Sequence, residues 1–167
     1  MLATYSSFSE PVKDILGLIE KADVWALLDH LPVETYHRGG KICLLGDSAH
    51  ASTPHHGAGA GMAVEDAFIL SKLLASIQSA EELEGAFAAY DAVRRPRSQR
   101  LVASSRRMGK VYDFEDEAVG DDIEAMREYL ETAWDWIWKE DLDRQLEHAR
   151  SLLLKREETM VEFRSSV

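Results

Sequence analysis

The chain has 167 residues, 46% of them hydrophobic, and a formal net charge of −11, the size and apolar content of one soluble globular domain. That acidic balance argues against non-specific binding to nucleic acid or to an anionic membrane, since both demand a basic surface. No apolar run approaches the ~18 residues of a membrane span, residues 1–9 lack the basic start and apolar stretch of a secretory signal, and the single cysteine, Cys43, has no internal disulfide partner, so the default expectation is a reducing, cytoplasmic setting.

In chain order, Ser9-Glu10-Pro11 sets a capping residue ahead of a proline, and Val12, Ile15, Leu16 and Ile19 fall at helical spacing, which predicts a helix over about 11–21. Residues 24–36 read as an extended segment interrupted at Pro32 and followed by a Gly39-Gly40 turn. The run Ile42 to Leu45 has the length and branched content of a buried strand, with Cys43 as a small buried hydrophobe inside it. Gly46-Asp47 ends that run, which sets a carboxylate where a sheet opens onto a crevice. Gly57, Gly59 and Gly61 then precede a helical pattern of Ala63, Ala67, Leu70, Leu74 and Ile77. A Gly-rich loop feeding a helix N-terminus offers bare backbone N–H groups and the positive end of the helix dipole, which suits an anion or an electron-rich ring edge.

Gly46-Asp47-Ser48-Ala49-His50, Pro54 seven residues beyond Asp47, the Gly57/Gly59 loop and Glu65-Asp66-Ala67 together resemble the second flavin-binding motif of FAD-dependent aromatic hydroxylases, in particular the salicylate-hydroxylase-like branch. The resemblance implies that Asp47 hydrogen-bonds a ribityl hydroxyl of FAD and that Pro54 lies beside the isoalloxazine. It also implies that Ala60 and Gly61 offer backbone N–H groups to the pyrimidine side of the ring, within a cofactor-binding set of Gly46, Asp47, Pro54, Gly57, Ala58, Gly59, Ala60 and Gly61. Ser48 stands where the family usually has Ala, and Met62 where Gln is common; neither change removes a backbone donor.

Other chemistries compete for the same residues. Gly46-Asp47-Ser48 also resembles the nucleophile block of Gly-Asp-Ser esterases, which would make Ser48 an attacking serine. That family supplies its activating histidine from a late Asp-x-x-His that is missing here, and the Gly-x-Ser-x-Gly elbow breaks at His50. Gly57-x-Gly59-x-Gly61 fails the dinucleotide fingerprint, which requires glycine at position 62. His50, His55 and His56 lack the i, i+4 spacing of a helical metal pair; His50 is expected to fix the loop by hydrogen bonding, and His55 or His56 to line the active-site mouth. Glu65 and Asp66 point in different directions on a helix and are expected to favour its first turn or accept a packing hydrogen bond.

A second helical block runs from Glu81 to Tyr112, with Leu83, Phe87, Tyr90 and Val93 on one stripe, Leu101, Ser105, Met108 and Tyr112 beyond it, and Pro96 expected to kink or restart the helix. Its arginines, Arg94, Arg95, Arg97, Arg100, Arg106 and Arg107, are read as partners for the chain's many carboxylates rather than as a phosphate patch. Tyr90-Asp91-x-x-Arg94-Arg95-Pro96-Arg97, with Ser105-Arg106 and Gly109 following, resembles the helix that succeeds the flavin motif in the same hydroxylases. Residues 113–122 read as a solvated acidic linker, and Ile123 to Trp134 as a helix. Trp134, Trp136 and Trp138 read as core packing with Trp134 and Trp138 on one face, and Leu142, Leu146, Ala149, Leu152 and Leu153 as a final amphipathic helix.

The resulting expectation is a helix-rich α/β fragment: the strand, Gly-rich loop and long helix of a Rossmann-like FAD-binding domain, over 41–112. Residues 1–40 would be the end of the substrate-binding region, and 113–167 an acidic linker and C-terminal helices. The resemblance implies an FAD-dependent monooxygenase that uses NAD(P)H and oxygen to hydroxylate a small aromatic substrate through a flavin hydroperoxide. It corresponds to less than half of such an enzyme, its C-terminal part, so a missing N-terminal half or a homo-oligomer is an expected partner, and the chain alone is expected to lack turnover. A helical interaction module that keeps the motif as scaffold is the non-enzyme alternative.

Overall fold

The computed structural model describes residues 3–165. Among them, a short helix α1 (Glu10–Gly17) and an irregular segment lead to a two-stranded antiparallel hairpin, β1 (His37–Arg38) and β2 (Ile42–Cys43), followed by the single turn α2 (Asp47–His50). A 3-10 turn over Pro54–His56 then opens into α3 (Gly59–Leu74), and the long α4 (Leu83–Tyr112) precedes α5 (Ile123–Thr132), α6 (Asp135–Trp138) and α7 (Leu142–Ser165).

Helices α3, α4 and α7 pack together around Ile69, Leu73, Ala86, Ala89, Tyr90, Val93, Leu146, Ala149 and Leu153. Small residues permit the close approach of α7 to α4: a Cβ on Gly85 would lie 3.0 Å from Leu153 Cδ1. The predicted α7 stripe is observed, with Leu146, Ala149 and Leu153 buried. The buried face of α3, however, is Met62, Asp66, Ile69 and Leu73, turned by about one residue from the expected Ala63, Ala67, Leu70, Leu74. An apolar pattern passes over Asp66, and it is this carboxylate that points inward. The helix also begins at Gly59, inside the glycine loop, and ends at Leu74, before Ile77.

The hairpin turns on Gly39 and Gly40, both at positive φ (+57° and +61°), which glycine adopts without strain. It is pinned to α4 through Tyr36, whose N–H donates to Asp91 Oδ1 (3.0 Å) and whose hydroxyl meets Ser98 Oγ at 2.8 Å. Tyr90 adds a hydroxyl bond to the Leu44 carbonyl (3.2 Å). The expected four-residue buried strand contracts to Ile42–Cys43, with Ile42 and Leu45 exposed, because β2 is paired along one edge only. Cys43 is half-buried, and burial pushes its thiol up to about 12, which leaves it protonated and unreactive at neutral pH.

Four further expectations are corrected. Helix α1 stops at Gly17 and buries none of its residues. Pro96 does not restart α4, which runs unbroken through it; buried polar anchors at Asp91, Arg94, Arg97 and Ser98 flank the proline. The acidic stretch 113–122 is not uniformly solvated, since Asp116 is buried against Arg107 (2.8 Å) and accepts the N–H groups of Ala118 and Val119. Of the tryptophans, Trp134 and Trp136 pack on Ala58, Met62, Leu101 and Ile137. Trp138 is exposed, because the helix is interrupted between Thr132 and Asp135 and its spacing does not carry through.

Candidate functional site

The site begins where β2 turns into α2. Gly46 has φ 60° and ψ −145°, a conformation essentially confined to glycine, and a Cβ there would sit 3.2 Å from the Ala63 Cβ of α3. This close approach sets the following residue, Asp47, beside the first turns of α3, and Asp47 is exposed. The Gly46 N–H is itself committed to Asp66 Oδ2 at 3.0 Å, so Gly46 shapes the turn rather than offering a donor.

Across from Asp47, α3 starts without a side-chain cap, and its first helical bond runs from Met62 N–H to the Ala58 carbonyl (2.9 Å). The N–H groups of Gly59, Ala60 and Gly61 have no acceptor among the described residues, and Ala60 and Gly61 are exposed. Bare amides concentrated at a helix start carry the positive pole of its dipole. The loop before them is held from behind. Gly57, left-handed at φ +63°, donates to the Pro54 carbonyl (2.8 Å), Ala58 is buried, and Pro54 is exposed at the start of the 3-10 turn. The His55 ring lies on α4 at Gly109, where any Cβ would come within 2.7 Å of its Cε1. His56 is buried edge-on to Trp134, whose Nε1–H donates to the His56 carbonyl (3.0 Å); of the two histidines expected at the mouth, this one is beneath the loop.

Asp66 accepts a packing hydrogen bond, as expected, and beyond that expectation is the hub of a buried network. Fully buried, it accepts the Gly46 N–H, meets His50 Nε2 at 2.5 Å and receives Arg94 Nε at 2.8 Å. His50 thus fixes the loop by hydrogen bonding, as expected. Burial alone would raise the Asp66 pKa; the His50 bond, the Arg94 charge and the Gly46 amide outweigh it and hold the carboxyl below its usual value. Arg94, also fully buried, reaches Glu65 (2.9 Å) and Gln145 (2.6 Å) as well. The adjacent Glu65 and Asp66 therefore converge on one guanidinium instead of pointing apart. Arg97 grips Glu65 through two bonds (2.7 and 2.8 Å), and Arg95, Arg106 and Arg107 pair with Asp91, Asp29 and Asp116. The signal for this network was the Glu65-Asp66 pair followed by Arg94 and Arg97 at three-residue spacing.

Ser48 Oγ donates to the Leu45 carbonyl (2.8 Å) and accepts the Leu45 N–H (3.3 Å), and among the described residues no histidine is hydrogen-bonded to it, as an activating base would be. Among the described residues no three of the His, Cys, Asp and Glu side chains are grouped to hold a metal ion, and no helix is long and apolar enough to cross a membrane.

The depressed carboxyls predict an acid limit. Asp66 lies below its ordinary 3.8 in the fold, and Asp116 is held at about 2, chiefly by the Arg107 hydrogen bond. Groups with lowered folded pKa values stabilise the fold fully above the unfolded value and lose that contribution as pH falls through the folded one. Chemical denaturation midpoints are therefore expected to hold from pH 7 to about 5 and to drop progressively between about pH 4 and 2. A flat profile across that window would contradict the network.

Residues 12–105, more than half of the 167, match the family described as FAD binding domain. A salicylate hydroxylase of Pseudomonas putida is 38% identical over 154 residues, which take in 92% of this chain and 35% of that protein. A 6-methylsalicylate 1-monooxygenase of Aspergillus terreus is 37% identical over 148 residues, 89% of this chain and 33% of that protein. A solved salicylate hydroxylase in complex with substrate superposes with a TM-score of 0.84 at 36% identity, covering 89% of this chain and 36% of that one. The fold is also similar, at a TM-score of 0.60 and 22% identity, to that of Klebsiella pneumoniae HpxO. The chain spans about a third of the length of these relatives, and it belongs to the FAD binding domain family, on the salicylate-hydroxylase-like branch.

Proposed function

We propose that this chain forms one wall of the cofactor site of an FAD-dependent monooxygenase that hydroxylates a small aromatic substrate with NAD(P)H and oxygen in the cytoplasm. The observation that carries the reading is the exposed Asp47 carboxylate beside the unpartnered amides of Gly59, Ala60 and Gly61. The residues present suit the group: a carboxylate accepts from a ribityl hydroxyl, and amides at a helix start favour the electron-rich pyrimidine edge of an isoalloxazine. Bound flavin supplies the redox chemistry, taking electrons from reduced nicotinamide and activating oxygen.

In this reading the chain's own atoms bind and orient. Asp47 fixes the ribityl chain, Pro54 lies beside the ring, and Ala60 and Gly61 donate to it, while Gly46, Gly57 and Ala58 shape the turn that presents them. Backbone donors suit this task because they neither titrate nor need ordering when charge develops. Residues 41–112 are the cofactor wall, 1–40 close the substrate region, and 113–167 brace the wall from behind.

The chain alone is expected to bind FAD weakly and to show no NAD(P)H oxidation; joined to the remaining two thirds of the family's length, it is expected to retain stoichiometric flavin. In that joined protein Asp47→Ala should weaken FAD binding about tenfold or more, the cost of one buried hydrogen bond to a hydroxyl. Flavin absorbance and fluorescence titration measure both. Tight, stoichiometric yellow colour in the isolated chain, or unchanged affinity in the variant, would overturn these assignments.

A further inference from the structure

The last turns of α4 carry cations that no carboxylate saturates. Ala103, Arg106, Arg107 and Lys110 share one face of the helix, and the turn over 116–118 folds back across them to close a cleft of about 400 Å³. The upstream arginines are spent: Arg94 and Arg97 are buried and engage Glu65 and Asp66 through several donors. Those of the cleft are not. Arg106 gives Asp29 only its Nε–H (2.7 Å), Arg107 gives Asp116 its Nε–H and one Nη2–H (2.8 and 3.2 Å), and both side chains are nearly half exposed. The Nη groups of Arg106, Nη1 of Arg107 and Nζ of Lys110 have no acceptor among the described residues. The acids beside them are less available. Asp116 is buried and its Oδ1 also takes the N–H groups of Ala118 and Val119 (3.2 Å each), so Glu117 is the one lining carboxylate without a partner among the described residues. The carbonyls at the end of α4, whose dipole disfavours an anion, already accept N–H groups, Gly109 from Asp113, Lys110 from Glu115 and Val111 from Phe114 (3.0, 2.7 and 3.2 Å).

We propose that this cleft binds a small phosphate-bearing molecule, held by Arg106, Arg107 and Lys110. A wall rich in free donors and poor in free acceptors calls for a ligand that mainly accepts. A phosphate presents oxygens in several directions and meets three cations at once, where the two oxygens of a carboxylate lie in one plane and suit a single guanidinium fork. The volume stands at the lower end of small-molecule sites, room for one phosphate group on a modest organic body. The chain's charge of −11 repels a dianion at long range, so affinity comes from these local contacts and is modest. All the lining residues except Ala103 lie beyond residues 12–105, the stretch that matches the FAD binding domain family, and none belongs to the set assigned to flavin; the cleft therefore stands independently of the flavoprotein reading.

The test is isothermal titration calorimetry of the chain at neutral pH and low ionic strength, with inorganic phosphate and adenosine monophosphate as separate probes. One saturable site with Kd on the order of 0.1–1 mM is expected for at least one of them. Lys110→Gln should weaken binding about fivefold or more, the loss of one charge-assisted hydrogen bond. Lys139→Gln, which removes a surface ammonium paired with Asp135 (2.6 Å) away from the cleft, should leave it unchanged. Glu117→Gln should tighten it about twofold or more, because it removes the carboxylate that opposes the ligand. Both lysines and Glu117 are exposed, so these variants fold. Phosphate binding as tightly as the nucleotide assigns the cleft to the free anion and a tighter nucleotide assigns it to an organic phosphate; either upholds the site. Neither saturable heat nor a raised denaturation midpoint with either probe at up to about 20 mM overturns the proposal, as does binding that survives Lys110→Gln or falls equally in Lys139→Gln, the mark of diffuse attraction.

Discussion

Arg94→Met is expected to lower the unfolding free energy by about 3–5 kcal/mol, the cost of leaving a buried charge without its partner. One fully buried guanidinium joins three helices: Nε to Asp66 on α3, Nη1 to Gln145 on α7 and to Glu65 on α3, and Nη2 to the Met62 carbonyl (3.3 Å), all from α4. Methionine fills the volume and supplies no donor. Asp66 would then keep only His50 and the Gly46 amide against a burial that, unopposed, raises its pKa. For a domain of this size the melting temperature should fall by roughly 10–15 °C, measured by circular dichroism. Pairing the change with Asp66→Leu should recover part of the loss, because an apolar replacement of both partners removes the stranded carboxylate. A fall of less than about 1 kcal/mol, well under the range for a broken buried pair, would show that the network contributes little.

The consequence for the site is direct. Asp66 holds the Gly46 amide, and Gly46 sets the direction of Asp47, so loosening Arg94 loosens the carboxylate assigned to the ribityl chain. Local chemistry of this kind was legible in the sequence wherever a residue type admits one explanation. Gly46 makes the turn into α2 because its backbone angles exclude a side chain, Gly39 and Gly40 make the hairpin turn, and Leu146, Ala149 and Leu153 repeat at the helical period because they face one core. What was not legible shares one cause. The inward face of α3 is set by a carboxylate, Asp116 is buried by a pairing with Arg107 across the end of α4, and Pro96 is tolerated because Arg94 and Arg97 are anchored on either side. In each case polar side chains are buried by partners elsewhere in the chain, and periodicity scores polar residues as exposed. The apolar segment 15–31 failed in the opposite sense: its pattern announces burial, and nothing among the described residues covers it.

Arg97 carries the second large effect, and here charge is not the deciding property. Its guanidinium makes two bonds to Glu65, donates to the carbonyls of Trp136 (2.9 Å) and Ile137 (3.1 Å), reaches Glu140 (3.2 Å), and lies 5.4 Å from the centre of the Trp136 ring. Lysine keeps the charge and loses the fork, so Arg97→Lys is expected to cost about 2–3 kcal/mol, leaving a carbonyl and one carboxylate oxygen without donors. Because both carbonyls belong to α6, the loss should appear first as undocking of that turn: greater acrylamide quenching of Trp136, isolated by a Trp136→Phe difference, at denaturant concentrations where helical circular dichroism is intact. Simultaneous loss of both signals would mean that α6 is not an independent unit. Docking of α6 matters to the cofactor loop because Ile137 and Trp136 pack on Ala58 and Met62, while Trp134 ties the loop at the His56 carbonyl. Ala58 supplies the carbonyl that closes the first bond of α3, so a loosened floor would blur the aim of the Ala60 and Gly61 amides. In the joined protein, flavin affinity is therefore expected to fall in Arg97→Lys although Arg97 is not among the residues assigned to contact flavin, and to be restored by no substitution that lacks a planar pair of donors.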